Sequence, residues 1–236
     1  MVDKPVISHV SELRSRLIII FLALIVFFII GLFFANPVIS KLSTDLLPDG
    51  VKLVSLAPVE YFYAQLKVAL IIGLVLSSPI IFFQVFAFIK PALRRKEKTI
   101  LWSSLPVFII LLFGGMAFCY FVFLKLALSF LAYLAVSGGV ANLWSINRFL
   151  GFALWTCLGT GLVFETPLVV FMLAKLGVVD TRQLGRARPY VYVLIFILAG
   201  LITPPDVVTQ LMLGIPMVIL FEISVLVARM FEKKAS

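Results

Sequence analysis

Residues 17–35 read LIIIFLALIVFFIIGLFFA, a run without a single charge. As a helix rising 1.5 Å per residue it covers about 28 Å, against about 30 Å for the hydrocarbon core of a bilayer. No small-x-small cleavage site closes the run, so it reads as a first membrane span and not as a removable leader. Further runs of this kind follow at about Val68 to Ile89, Ile100 to Leu124, Phe149 to Ala174, Tyr190 to Thr203 and Val207 to Ala228. They are continuous and do not alternate, which predicts helices and excludes barrel strands. The fold class expected is therefore an all-α membrane protein with six transmembrane helices, forming one polytopic domain over residues 1–236.

Composition agrees. Of the 236 residues, 63% are hydrophobic and 13% charged, and the mean hydropathy is +1.18. A water-soluble domain carries about twice that charge. The net charge of +9 comes with no nucleic-acid-reading motif, and its placement along the chain carries the information.

With six spans and the N-terminus inside, the inner segments hold Lys4, Arg14 and Arg16, then Lys90, Arg94, Arg95, Lys96 and Lys98, then Lys175, Arg182, Arg186 and Arg188, and finally Arg229, Lys233 and Lys234. Lys41, Lys52, Lys67, Lys125 and Arg148 remain outside. This asymmetry is the positive-inside pattern and puts both termini in the cytoplasm. Leu126 to Asn147 is also uncharged, but a seventh span there would move Lys175 to Arg188 outside. Its second half, AVSGGVANLWSIN, is turn-rich.

The outer segment from Asn36 to Lys67 contains NPVISKLSTDLL and APVEYFYAQLK, amphipathic pieces that suit short helices on the outer face. The fifth span is short, about 21 Å at 14 residues. It and the sixth either thin the bilayer or pack their ends within the bundle. The two three-helix halves differ in length and breaks, which disfavours an inverted-repeat transporter.

Catalytic signals are poor. His9 is the single histidine, no span contains His or Asp, and no hydrolase, zinc-protease or phosphate-loop motif occurs. Cys119 and Cys157 have no partners at metal-ligand spacing and read as small buried hydrophobes. The chain reads as no enzyme, with no cofactor and no metal. Two acids lie inside spans, Glu165 in the fourth and Glu222 in the sixth. Each needs a wet cavity, a partner or a structural hydrogen bond to a neighbouring helix. In the N-tail, Glu12 and Arg16 are spaced to pair on one helical face, with Val10, Leu13 and Leu17 on another. The first inner loop sets Glu97 among five basic residues, which by itself reads as a positive-inside anchor.

Six stretches carry a resemblance: HVSELRSRL (His9 to Leu17), FQVFAFIKPALRRKEK (Phe83 to Lys98), GMAFCYFVFLKLALSFL (Gly115 to Leu131), FETPLVVF (Phe164 to Phe171), RARPYVYV (Arg186 to Val193) and ITPPDVVTQLMLGIPMVILFEI (Ile202 to Ile223). In this order, with ELRxR, FxxPxLxxxE and TPPD together, the chain resembles the TatC family, the polytopic core subunit of the twin-arginine protein translocase. The resemblance implies a multi-pass protein of the cytoplasmic (plasma) membrane. It implies a receptor for twin-arginine signal peptides of folded cargo, Sec-independent and driven by the proton-motive force. It also implies single-span partners of the TatA and TatB type, and self-association in the complex.

The same resemblance implies the sites. Glu97 and Phe88, with Glu12, Leu13 and Arg14, match the signal-peptide patch. Paired guanidinium groups suit carboxylates that accept two hydrogen bonds. Glu165, Thr203 and Gln210 match intramembrane positions that contact partner helices. Pro48, Pro204, Pro205 and Asp206 match loop positions with structural roles. Two other readings fit the residues less well. A solute transporter would use Glu165 as a proton site and needs paired helix breaks, which the sequence lacks. A membrane enzyme lacks its residues.

Overall fold

The computed structural model describes residues 4–89, 95–175, 181–204 and 206–232, with side chains described for most of these but not for 4–10, 87, 89, 95–103, 174, 181–183, 227–229 and 231–232. The chain is a helical bundle. Its helices are α1 (Lys4–Leu46), α2 (Glu60–Ile89), α3 (Arg95–Phe118), α4 (Leu124–Ser137), α5 (Ile146–Phe164), α6 (Thr166–Lys175), α7 (Thr181–Ile202) and α8 (Val207–Glu232). A five-residue π-helical turn, Cys119–Phe123, joins α3 to α4 without interrupting the rod. Six stretches among the described residues are long and apolar enough to cross a membrane: Ser11–Leu46, Glu60–Phe86, Ser104–Ser137, Ile146–Leu173, Leu184–Ile202 and Val207–Leu226.

Lipid tails are as apolar as leucine, so apolar burial alone does not drive helices together in a bilayer. Close approach and polar contacts must do more of the work. Gly31 is one contact point. A Cβ built there would lie 2.6 Å from the Ala69 carbonyl oxygen, so α1 and α2 touch backbone to backbone. Gly115 and Gly161 do the same for α3 and α5, where a Cβ on Gly115 would come within 2.9 Å of the Gly161 Cα. Any larger side chain at these points would push the helices apart. Around these crossings α2 packs on α1 and α5, and α3 on α5. The helix pair α7–α8 joins through α6. Ala64, Val68, Leu124, Leu150, Leu213 and Val225 are among the side chains of the shared core.

The connections between helices hold two differences from the sequence reading. NPVISKLSTDL is the end of α1, with Leu47 just beyond it, and EYFYAQLK the start of α2, so both amphipathic pieces lengthen membrane helices. Pro37 lies inside α1. It removes one hydrogen-bond donor. The helix persists because Ile39, Leu42 and Leu46 beyond it are buried in the core. The second difference is a pair of strands, β1 (Lys52–Val54) and β2 (Leu143–Ser145), running parallel with Leu53 opposite Trp144. They tie the α1–α2 connection to the segment before α5. Two glycines at positive φ, Gly50 (81°) and Gly139 (70°), make the turns that lead into these strands. α4 ends before Gly139, so the turn-rich half of Leu126 to Asn147 does not form a span.

Candidate functional site

Three polar regions lie where the sequence placed functional side chains. The first is at the end of the bundle that carries the start of α1. Arg16 sits one turn after Glu12 and binds its Oε1 through Nη2 at 2.6 Å and Nε at 3.1 Å. Its remaining Nη1 donates to Gln84 Oε1 of α2 at 3.1 Å. One guanidinium therefore fixes the N-terminal helix against the end of α2. Leu13, 40% exposed, and Arg14 stand free of this contact on the surface. Phe88 is half-buried in the last turn of α2. Glu97 belongs to the first turn of α3, and its side chain lies outside the described residues. Glu12, Leu13, Arg14 and Phe88 thus share one end of the α1–α2 pair. Glu12 already has one arginine, and a second guanidinium must share its carboxylate or displace Arg16.

The second region is the helix break in the fourth span. α5 stops at Phe164 and α6 begins at Thr166, as the polar residue between them suggests. The Thr166 hydroxyl donates to the Val163 carbonyl at 2.6 Å, and the Val169 amide reaches the Glu165 carbonyl at 3.0 Å. The chain is thereby restarted with its backbone groups paired. The Glu165 side chain is 6% exposed. The Leu112 backbone approaches it, yet neither carboxylate oxygen makes a hydrogen bond of ordinary geometry among the described residues. A carboxyl group buried without partners is costly. It marks a place where a partner group would be favourable.

The third region is the tight turn between α7 and α8. Asp206 caps α8, taking the Thr209 amide at 2.7 Å on one oxygen and the Thr209 hydroxyl at 2.5 Å on the other. Pro204 contributes its carbonyl to the Asp206 amide at 2.7 Å. Pro205 lies outside the described residues. The Thr203 hydroxyl is turned back onto the Ala199 carbonyl at 2.9 Å. Gln210 donates across to the Phe196 carbonyl at 2.8 Å, lying over Gly200. Both polar groups are thus partly satisfied within the α7–α8 pair. Between α1 and α2, the Pro48 carbonyl accepts the Val51 amide at 3.2 Å and closes the loop before β1.

Several contacts escaped the sequence reading. Glu222 of α8 accepts from Arg188 Nη2 at 2.6 Å and from the Tyr192 hydroxyl at 2.5 Å, both on α7. Of the two acids in spans, this one is held by a structural clamp. Tyr120 donates to Asp45 at 2.5 Å, and Lys41 pairs with the same carboxylate at 3.0 Å. Glu60 accepts from the Ser145 hydroxyl and from the Leu56 amide at 2.5 Å, locking the strand pair to α2. Apart from Lys41–Asp45 and Leu56–Glu60, four residues apart, these partners lie 30 to 85 residues apart, too far for a spacing rule.

Comparison with known proteins places these features. The family model for Sec-independent protein translocase protein (TatC) matches residues 8–216. The chain is 34% identical over 229 residues to the Sec-independent protein translocase protein TatCy of Bacillus subtilis (strain 168), covering 97% of this chain and 90% of that one. It is 37% identical over 234 residues to the Sec-independent protein translocase protein TatC of Escherichia coli (strain K12), covering 98% and 90%. Among solved structures, a crystal structure of the twin arginine translocase receptor TatC matches with a TM-score of 0.85 at 35% identity, covering 94% of this chain and 98% of that one.

Proposed function

The chain belongs to the TatC family of Sec-independent protein translocase proteins, a multi-pass membrane protein of transport and not of catalysis, and from that premise we propose that it is the receptor subunit that binds twin-arginine signal peptides. The observation that carries the reading is the polar end of the α1–α2 pair. There Glu12 is held by Arg16, which is itself tied to Gln84, beside exposed Leu13 and Arg14 and half-buried Phe88. Carboxylates fixed from behind suit a ligand that presents two guanidinium groups. Glu97, on the first turn of α3, supplies the second carboxylate of the patch in this reading.

The same proposal gives the remaining roles. Both termini face the cytoplasm, and the chain sits in the cytoplasmic (plasma) membrane, following the positive-inside placement of Lys and Arg. Residues 1–236 work as one polytopic domain. Single-span subunits of the TatA and TatB type dock on the α7–α8 pair at Thr203 and Gln210, with Glu165 offering a further polar contact within the bilayer. Pro48, Pro204, Pro205 and Asp206 shape the outer turns. Copies of the chain associate in the working complex, and the proton-motive force drives export.

The test is cross-linking of a twin-arginine signal peptide to the protein in membranes. Wild type is compared with Glu97→Ala, and the natural peptide with one whose arginine pair is changed to lysines. Loss of the cross-link in both comparisons supports the receptor role. A cross-link indifferent to both changes removes Glu97 from the site and overturns this reading.

A further inference from the structure

An apolar groove of about 400 Å³ opens on the side of the bundle, between the outer half of α1 and the helices α2, α3 and α5. Its walls include Leu42, Val75, Phe113, Ala117, Tyr120 and Leu154. The volume falls within the roughly 300–1,000 Å³ typical of small-ligand sites. The groove lies along a membrane-spanning surface, so hydrocarbon and not water is its natural filling.

The π-helical turn shapes its outer end. Cys119–Phe123 adds one residue to the helical turn, and both Tyr120 and Phe121 line the groove. Their rings meet edge to face at 4.9 Å. Single π turns of this sort are concentrated at functional sites.

The groove has a charged mouth. The Tyr120 hydroxyl leaves the apolar wall and donates to Asp45. Lys41 pairs with Asp45 while its side chain stays 72% exposed. Lys125, exposed on the first turn of α4, lies within electrostatic reach of Asp45 and forms no ion pair among the described residues. Two ammonium groups therefore face one carboxylate that is already engaged. The mouth carries surplus positive charge, and each lysine has donors to spare.

From the apolar walls and the cationic rim together we infer that the groove is a binding site for an anionic phospholipid. One acyl chain fills the space between α1, α2, α3 and α5. The phosphate sits between Lys41 and Lys125, and Asp45, held by Tyr120, keeps Lys41 oriented. A zwitterionic lipid would offer the same chain but bring its own cation to a mouth that is already positive. A partner's apolar helix would fill the groove without needing the lysines. Charge complementarity at the mouth favours the lipid.

Native mass spectrometry of the full-length protein in mild detergent tests this. The probes are dioleoyl phosphatidylglycerol and dioleoyl phosphatidylcholine. Wild type is expected to bind the anionic lipid on the order of tenfold more tightly, from two lysines near the phosphate. The double change Lys41→Gln and Lys125→Gln should erase that preference while leaving binding of the zwitterionic lipid in place. Ala117→Trp, at an exposed wall position, should fill the groove and lower binding of both lipids. A preference that survives the lysine changes, or lipid binding untouched by Ala117→Trp, overturns the proposal. A second measurement needs no variant. Phosphatidylglycerol with a photoreactive acyl chain should label the segment from Phe113 to Phe121 in membranes. Labelling spread evenly over the bundle surface, or a groove occupied by a cross-linked protein segment in place of lipid, contradicts it.

Discussion

Glu165 and Glu222 are the same side chain in the same kind of place, inside a helix that crosses the membrane. Their surroundings differ. Glu222 is clamped by Arg188 and Tyr192 of the neighbouring helix, with both oxygens used. Glu165 sits at a helix break, more deeply buried and without a hydrogen-bond partner among the described residues. A buried polar group with partners stabilises or is neutral, and one without partners costs stability. Asn142, Asn147, Thr160 and Arg188 each leave one buried polar atom without a partner among the described residues, but at Glu165 both carboxylate oxygens are so left, and a partner from outside the chain would offset that cost. The contrast separates a residue that holds α7 to α8 from one whose carboxylate is left without a hydrogen bond among the described residues.

The largest effect expected from breaking this contrast falls on the clamp. Arg188→Ala removes the cation from the Glu222 carboxylate and leaves the Tyr192 hydroxyl bond in place. It should cost about 2 kcal/mol, moderated because both charged side chains are about one-third exposed. In thermal unfolding of the purified protein this is a fall of about 5 °C. Replacing both partners by apolar residues, Arg188→Met with Glu222→Leu, should recover most of it. Tyr192→Phe comes next. It removes one hydrogen bond and should cost about 1 kcal/mol, read in the same experiment. Glu165→Gln should have the smallest effect on stability, within about 1 kcal/mol of wild type, since no native partner is lost. If Glu165 meets a partner, export in cells should nevertheless fall. A Glu165→Gln variant that unfolds as readily as Arg188→Ala would erase the distinction between the two acids.

Much of this arrangement was legible in the sequence, and the remainder was hidden for a definable reason. The spans followed from apolar runs, and the break at Glu165 from one acid in a run that is otherwise apolar. The Glu12–Arg16 pair followed from a four-residue spacing. Local rules reach that far. They stopped α1 at Ala35, before Asn36 and Pro37, whereas burial of Ile39, Leu42 and Leu46 carries the helix on to Leu46. Tertiary packing outweighs the one hydrogen bond that Pro37 gives up. The strand pair joins Lys52–Val54 to Leu143–Ser145, three residues each, with no pattern long enough to be read as a strand. The pairing of Arg188 with Glu222 joins residues on different helices, and nothing in either segment announces the other. Glu97, one acid among five basic residues, reads by itself only as part of a basic anchor, and its proposed role rests on the resemblance. The tie from Arg16 to Gln84 that steadies Glu12 could not be read, because it crosses from α1 to α2.

The role at the α1–α2 end is tested most directly by a double-mutant cycle on signal-peptide affinity, measured with purified protein in lipid nanodiscs. The four combinations are wild type and Glu97→Gln, each with the twin-arginine peptide and its twin-lysine counterpart. If Glu97 holds the arginine pair, each single change weakens binding by about tenfold or more, and the second change adds little to the first, a coupling of about 1–3 kcal/mol. Two changes whose effects simply add, or a protein that binds both peptides equally well, would contradict recognition of paired arginines at this end of the molecule.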